Sequence, residues 1–381
     1  MKSKLALILA FVFFGMPLAQ AQTAPPLDVA ARQVFLVDVA TDTPLYEKDA
    51  DTKMPTSSMS KMMTMYLVFD ALKNGTLKMD EQLPVSEHAW KQEGSRMFVK
   101  VGDKVKVEDL IRGVIVQSGN DAAVCLAEAL GSGSESAFAD MMNAKAKELG
   151  MTNSHFMNAT GLPDPQHYST ARDLATLAMA LQRDFPEYYH YFSELTFTYN
   201  NITQGNRNPL LYRNMNVDGL KTGHTDVGGY GLTVSTVRDG RRLVAVLNGM
   251  DSMQSRADEP AKVLDYGYRE FGLYPIVKAG DVMASPAVWL GRSKNVPIVA
   301  TQSVLVTLPR AARNGLKAEV SFDQPIPAPI KKGQQIGELT ITAPGLETKV
   351  IPLAATEDVG QVGFFARVFD KLGVIFGGKK G

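Results

Sequence analysis

A single cysteine, Cys125, stands among the 381 residues of the sequence, so no disulfide can form within the chain, and its stability must come from packed apolar cores. Neither sign of charge is in excess, with 40 Lys and Arg against 40 Asp and Glu. That balance excludes a nucleic acid as partner, because affinity for a phosphate backbone needs cations massed on one face. The five histidines are scattered without metal-ligand spacing, and there is neither a paired CxxC nor a glycine-rich phosphate loop. The sequence therefore calls for no metal and no cofactor. An apolar run at residues 5–14, preceded by Lys2 and Lys4, is too short to span a bilayer. Ala19, Gln20 and Ala21 after it form the small-x-small pattern cut by signal peptidase. Residues 1–21 thus read as a secretory signal peptide, with a mature chain expected to begin near Gln22.

With 45% hydrophobic residues, the remainder is long enough for two domains, each with its own core. Residues 34–38 and 44–47 flank Thr41, Asp42 and Thr43 as a β-hairpin. From Ser57 to Leu72 the apolar side chains leave little room for a polar face, which predicts a buried helix ended by Gly75. Further helices are expected at residues 135–149, 171–183 and about 257–271, the second opened by Ser169 and Thr170. Asp239 and Gly240, between the apolar runs 231–237 and 242–247, form a hairpin turn. Hairpins at both ends with helices between them predict an α+β domain over residues 22–278, an antiparallel sheet closed by N- and C-terminal strands and covered by helices. Residues 279–358 turn to short β-rich runs broken by Pro and Gly, a second, small all-β domain. In residues 359–381, Phe364, Phe365, Val368, Phe369, Leu372, Ile375 and Phe376 fall on one stripe of an amphipathic helix, and Lys379 and Lys380 follow. Such a helix is suited to lie in the interface of an anionic membrane.

Three short motifs stand in order: Ser58-Met59-Ser60-Lys61, Ser118-Gly119-Asn120 and Lys221-Thr222-Gly223. Each alone also fits a helix cap or a strand end; their order and contexts favour chemistry. Residues three apart on a helix share a face, which brings Ser58 and Lys61 within hydrogen-bond reach. A serine hydroxyl becomes a useful nucleophile when a base takes its proton, and a lysine is such a base once burial disfavours its ammonium. Ser118 offers a second hydroxyl to pass a proton, and the Asn120 amide can accept from Lys61 and donate to a substrate carbonyl. Lys221 and Thr222 on a strand can hold a terminal carboxylate, while Gly223 lets a substrate backbone lie close. The backbone N–H groups of Ser58 and His224 are candidates for the oxyanion hole. Cys125 reads as inert core on the apolar side of a helix.

The stretch from Pro55 to Thr64, the Ser118-Gly119-Asn120-Asp121 turn and the stretch from Asn216 to Thr225 resemble the low-molecular-mass penicillin-binding proteins, in the branch of the serine D-alanyl-D-alanine carboxypeptidases. Gly161-Leu162, the stretch from His167 to Asp173 and Asn206-Arg207-Asn208 extend the likeness through the N-terminal domain. The resemblance implies a β-lactamase/transpeptidase-like fold and an enzyme that removes the terminal D-alanine from peptidoglycan stem peptides ending in D-Ala-D-Ala. Ser58 would be acylated, Lys61 its base, Ser118 the shuttle and Lys221 the carboxylate anchor, with Arg207 and Arg256 on the substrate side. β-Lactam antibiotics would acylate the same serine. The Glu-x-x-Leu-Asn signature of class A β-lactamases is not found between Ser118 and Lys221, which implies slow hydrolysis of penicillin. A DD-endopeptidase with the same site, or a non-catalytic penicillin sensor, are the alternative readings. Together with the leader and the terminal helix, the resemblance implies a periplasmic enzyme attached to the outer face of the inner membrane.

Overall fold

The computed structural model of the chain describes residues 3–8 and 24–363. It divides into two compact units, one of residues 26–269 and one that takes in Glu270 onward together with the N-terminal residues up to Pro25.

The larger unit is built on a five-stranded antiparallel sheet in the order Thr43–Lys48, Gln33–Asp38, Arg241–Met250, Gly229–Arg238, Val217–Thr225. Two hairpins of the sheet stand where local sequence placed them. Asp42 turns the first at φ 53°, and Asp239 and Gly240 turn the second at φ 51° and 76°, the positive values that a two-residue turn needs to match strand twist. The strand near the N-terminus and the last strand of the domain lie side by side, Phe35 opposite Val246 and Val37 opposite Val244. Val217–Thr225 is an outer strand of this sheet, and it carries the Lys-Thr-Gly motif.

Both faces of the sheet are covered, which is why its central strands read as unbroken apolar runs rather than as alternation. Phe35, Val37, Val244 and Val246 join the large core around the Lys61–Lys73 helix. Leu36 and Leu243, which point the other way, face Gly267 of the Met253–Glu270 helix. The Lys61–Lys73 helix is buried on nearly every side, Met62, Met63, Met65, Val68 and Phe69 being at most 1% exposed. Such a helix owes its stability to packing and not to an amphipathic face. The helices Val107–Ile115 and Asn120–Leu130 pack on each other and hold the Ser-Gly-Asn turn between them. Ala171–Asp184 starts where Thr170 accepts a hydrogen bond from Asp173 N at 3.1 Å. The last helix begins at Met253, earlier than the expected 257.

The second unit is all β. The strands Lys317–Gln324, Gln335–Ala343, Leu346–Ala355 and Ile298–Ala300 form one sheet. It shares a core with the pair Phe271–Val277 and Val304–Pro309 through Val306, Leu308, Leu339, Ile341 and Leu353. Because Phe271–Val277 pairs with Val304–Pro309, this unit starts at Glu270 rather than at Ala279. Ser3–Ile8, inside the stretch read as a leader, runs antiparallel beside Lys317–Gln324. Val359 pairs with Ile330 and Gln361 with Gly291, so the described start of the 359–381 segment is extended. The helix expected over residues 364–381 lies outside the described residues.

Candidate active site

Ser58 sits in a 3-10 turn, Ser57–Ser60, that runs directly into the Lys61–Lys73 helix. Ser57, Met59 and Ser60 are buried and Ser58 is the member of the turn that reaches the surface. Ser57 enters the turn at φ 51°, a left-handed value that is uncommon for a residue with a side chain. Neighbouring backbone holds it there. A Cβ added to Gly161, itself at φ 78°, would stand 1.8 Å from the Ser57 carbonyl oxygen, so glycine is required at that crossing.

Lys61 is fully buried, and its Nζ has three partners: Ser58 Oγ at 3.0 Å, Asn120 Oδ1 at 2.6 Å and the Thr160 carbonyl at 2.6 Å. Burial is the main cause that draws its pKa from 10.5 down to about 7; the Arg207 charge adds to this, and Asp121 and Glu135 oppose it. A neutral amine has two N–H bonds and one lone pair. The Asn120 and Thr160 oxygens can only accept, so they take the two hydrogens. The lone pair is then left for Ser58, the partner that has a proton to give. The amide of Asn120 cannot flip, since its Nδ2 donates to the Glu93 carbonyl at 2.6 Å.

The second motif is set by what surrounds it. Ser118 is buried at φ 61°, and the next helix begins at Asn120, whose N–H donates to the Ser95 carbonyl at 2.6 Å. Asp121, 1% exposed, accepts from the backbone N–H groups of Met97, Phe98 and Val99 at 2.9, 2.9 and 3.2 Å. It thereby fastens the loop that carries Ser95 against the motif.

On the outer strand, Lys221 Nζ donates to Ser118 Oγ at 2.9 Å and to the Thr222 carbonyl at 3.3 Å. Its amine therefore faces Ser118 rather than open solvent. Burial first, and then the charges of Lys61, Arg207 and Arg256, hold its pKa well below the ordinary lysine value. Thr222 is buried beside it and His224 is exposed, its ring 4.1 Å from that of Tyr230. Gly223 has a different use from the one its position in the motif implied. A Cβ there would lie 2.8 Å from the Thr56 carbonyl oxygen, so the missing side chain lets the strand dock on the nucleophile turn. Arg207 is exposed between two buried asparagines, Asn206 and Asn208, and donates to Ser95 Oγ. Asn208 Nδ2 in turn bonds the Gly219 carbonyl at 2.9 Å, which ties this loop to the outer strand. Arg256 lies 5.3 Å over the Tyr230 ring, and its charge bears on Lys221.

Ser58, Lys61, Ser118, Asn120 and Lys221 are thus joined by direct hydrogen bonds, with Thr222, Gly223, His224, Arg207 and Arg256 around them. Reading of the sequence missed the Thr160 carbonyl. Its turn was legible, because Asn158 Oδ1 accepts from Thr160 N at 3.2 Å and from Gly161 N at 2.7 Å, a local asparagine turn. Asp121 was quoted in a motif but given no task. Cys125 is buried and its thiol pushed up to about 12, mainly by desolvation, as suits inert core. His167 is buried as well and drawn down to about 4, chiefly by desolvation. Its Nδ1 accepts from Met157 N at 3.1 Å, so Nε2 bears the hydrogen and donates to Ser60 Oγ at 2.7 Å.

A helix-covered antiparallel sheet, with a buried lysine at the head of the central helix and a second lysine on the outer strand, is the catalytic fold of the penicillin-binding proteins, and an all-β domain follows it in the chain. Residues 19–252 match the family model described as D-alanyl-D-alanine carboxypeptidase, and residues 271–361 match that of the penicillin-binding protein 5 C-terminal domain. The chain belongs to the D-alanyl-D-alanine carboxypeptidase family. It is 40% identical to the D-alanyl-D-alanine carboxypeptidase DacC of Escherichia coli, over 95% of this chain and 92% of that protein. To DacA of the same organism it is 36% identical, over 92% and 89%. The crystal structure of penicillin binding protein 5 from Haemophilus influenzae superposes with a TM-score of 0.78 at 36% identity, covering 88% of this chain and 99% of that one.

Proposed function

We propose that this carboxypeptidase releases the terminal D-alanine of stem peptides ending in D-Ala-D-Ala through an acyl-enzyme on Ser58. The reading is carried by the three partners of Lys61 Nζ, which leave its lone pair for Ser58 alone. Lys61 takes the hydroxyl proton as Ser58 Oγ attacks the carbonyl carbon of the penultimate residue. The negative charge on the carbonyl oxygen is met by the backbone N–H groups of Ser58 and His224. As the peptide bond breaks, the departing amine receives a proton by way of the Ser118 hydroxyl, which the Lys221 hydrogen bond orients. Water then attacks the ester, Lys61 again serves as base, and Ser58 Oγ recovers its proton. Thr222, Arg207 and Arg256 hold the free carboxylate of the leaving residue, while Lys221 supports it by charge from behind Ser118.

A β-lactam carries an acyl carbon and a carboxylate in the same relation, so it acylates Ser58 by the same steps. With no glutamate assigned to activate the second water, the acyl-enzyme is long-lived. We place the mature protein in the periplasm, with residues 364–381 lying in the surface of the inner membrane. The leader pattern and the apolar stripe with its basic tail support that reading. The test of the mechanism is peptide mapping after labelling with penicillin, together with an assay for released D-alanine: label on Ser58 and release are expected, and label on any other residue overturns the assignment.

A further inference from the structure

Beyond the reacting atoms, the larger unit holds a cavity of 790 Å³ whose wall continues each of the three segments that build the site. Thr56 and Ser57 directly precede Ser58, the stretch of residues 161–165 directly follows Thr160, and the stretch of residues 225–227 directly follows His224. Ser57 Oγ donates to Thr225 Oγ1 at 3.3 Å where two of these segments meet. The volume is within the ordinary range of small-ligand sites, about 300–1,000 Å³.

The direction of a bound peptide follows from the outer strand. Lys221, Arg207 and Arg256 supply positive charge toward one end of the motif, and the cavity opens at the other, beyond Thr225. From Lys221 to Thr225 an extended strand advances roughly 13 Å. A substrate with its carboxylate at the cationic end and its scissile carbonyl over Ser58 must direct its upstream residue to the cavity.

The lining is chemically selective. Leu162 and Val227 are 36% and 77% exposed, and with Tyr168 they offer an apolar wall to whatever enters. Lys53 Nζ stands 4.3 Å over the Tyr168 ring. Asp164 and Asp226 complete the charged part of the lining. Asp164 accepts a bond from the Gln166 backbone N–H at 2.7 Å. Among the described residues no ion pair joins these three charges to each other or to another side chain. Both signs are therefore available to a ligand, next to apolar surface.

We propose that this cavity binds the side chain of the residue immediately upstream of the penultimate D-alanine, and that this side chain is an aliphatic stem ending in an amino-acid head with both an ammonium and a carboxylate. The stem lies on Leu162, Tyr168 and Val227; the carboxylate meets Lys53, and the ammonium meets Asp164 and Asp226. The inference rests on the reading of Ser58 as the acylated residue and of the Lys221 end as the carboxylate end.

Three synthetic peptides X-D-Ala-D-Ala test it on the full-length protein: X with the free amino-acid head, X with the same stem and its head acetylated and amidated, and X glycine. The kcat/KM for D-alanine release is expected to be about tenfold or more higher for the first than for the other two, as one well-filled pocket contributes. Lys53→Ala should bring the first peptide down to the level of the second. Leu162→Ala should lower the first two peptides and leave the glycine peptide within about twofold, and Val227→Ala, at a more exposed position, should do the same. Equal kcat/KM for all three peptides overturns the proposal, as do variants that lower the glycine peptide as much as the charged one. Release without discrimination rejects the cavity alone, whereas no release from any peptide rejects the carboxypeptidase mechanism with it.

Discussion

Asn120 Oδ1 lies 2.6 Å from Lys61 Nζ, closer than Ser58 Oγ at 3.0 Å. The asparagine is fixed by the Glu93 carbonyl on its other side, so it acts as a stop that orients the amine. The nucleophile and its base are three residues apart in sequence, yet the geometry that makes the pair reactive is imposed by partners 59 and 99 residues away.

Since Ser58 and Lys61 act in one step, their losses should not add. Lys61→Ala is expected to slow labelling of the protein by penicillin by roughly 10²–10⁴-fold. Ser58→Ala should abolish it, and the double variant should be no worse than Ser58→Ala. Rates of label incorporation measured for the three variants decide this, and additive losses would show two separate steps.

The pH dependence follows from the burial of Lys61. Below about 7 its nitrogen carries a third proton and has no lone pair; above about 7 it is the free base. The kcat/KM for D-alanine release should therefore rise with pH through an apparent pKa near 7 and then level off. Glu135 opposes the lowering, so Glu135→Gln, which keeps an acceptor for the Ala159 N–H, should move this limb to lower pH. A limb that stays in place, or moves to higher pH, would remove Glu135 from the set of charges acting on Lys61.

Lys221 and Arg256 should separate when the substrate carboxylate is masked. Lys221 bonds Ser118, so Lys221→Ala should slow acylation about equally for free and esterified D-Ala-D-Ala substrates. Arg256→Gln should weaken the free-carboxylate substrate, by about tenfold if one charge-assisted hydrogen bond is lost, and spare the ester. The ratio of the two kcat/KM values for each variant is the measurement, and a larger loss on the free acid for Lys221→Ala would return the anchor role to that residue.

Gly161→Ala places a methyl group at the Ser57 carbonyl and forces a side chain to φ 78°. The turn that holds Ser58 must shift to make room. Thermal unfolding should show a loss on the order of 1–3 kcal/mol, accompanied by slower penicillin labelling. Unchanged stability together with unchanged labelling would mean that the crossing is not tight.

Truncation after Gly363 tests the membrane attachment and spares the backbone bond from Val362 N to the Leu290 carbonyl. The shortened protein is expected in the soluble periplasmic fraction, with its activity on small peptides unchanged. Burial of an apolar stripe contributes about 25 cal/mol per Å², which suits reversible attachment, and a truncated protein that still pelleted with membranes would end the anchor reading.

Much of the architecture was legible because it is local. Asp239 and Gly240 turn the chain within two residues, the Thr170 cap acts within three, and the apolar run after Ser57 could be stabilised only by burial. The start of the β unit was read nine residues too late, at Ala279 instead of Glu270. Phe271–Val277 continues directly from a helix, and its membership of the second unit is decided by its partner strand Val304–Pro309, which no local pattern announces.

By itself the sequence determined that no disulfide could form, that Ser58 and Lys61 would share a helix face, and that three motifs of matching order would come from one chain. These are matters of composition and of spacing within a helical turn. Only the tertiary structure decided which groups surround Lys61, that Lys221 turns its amine to Ser118 across 103 residues, and that Gly223 is spent on the approach of strand to turn. A pKa depends on what lies within a few ångströms in every direction, and a close approach depends on two backbones meeting. Both are fixed when distant segments pack together, at separations where the one-dimensional spacing of residues carries no geometric information.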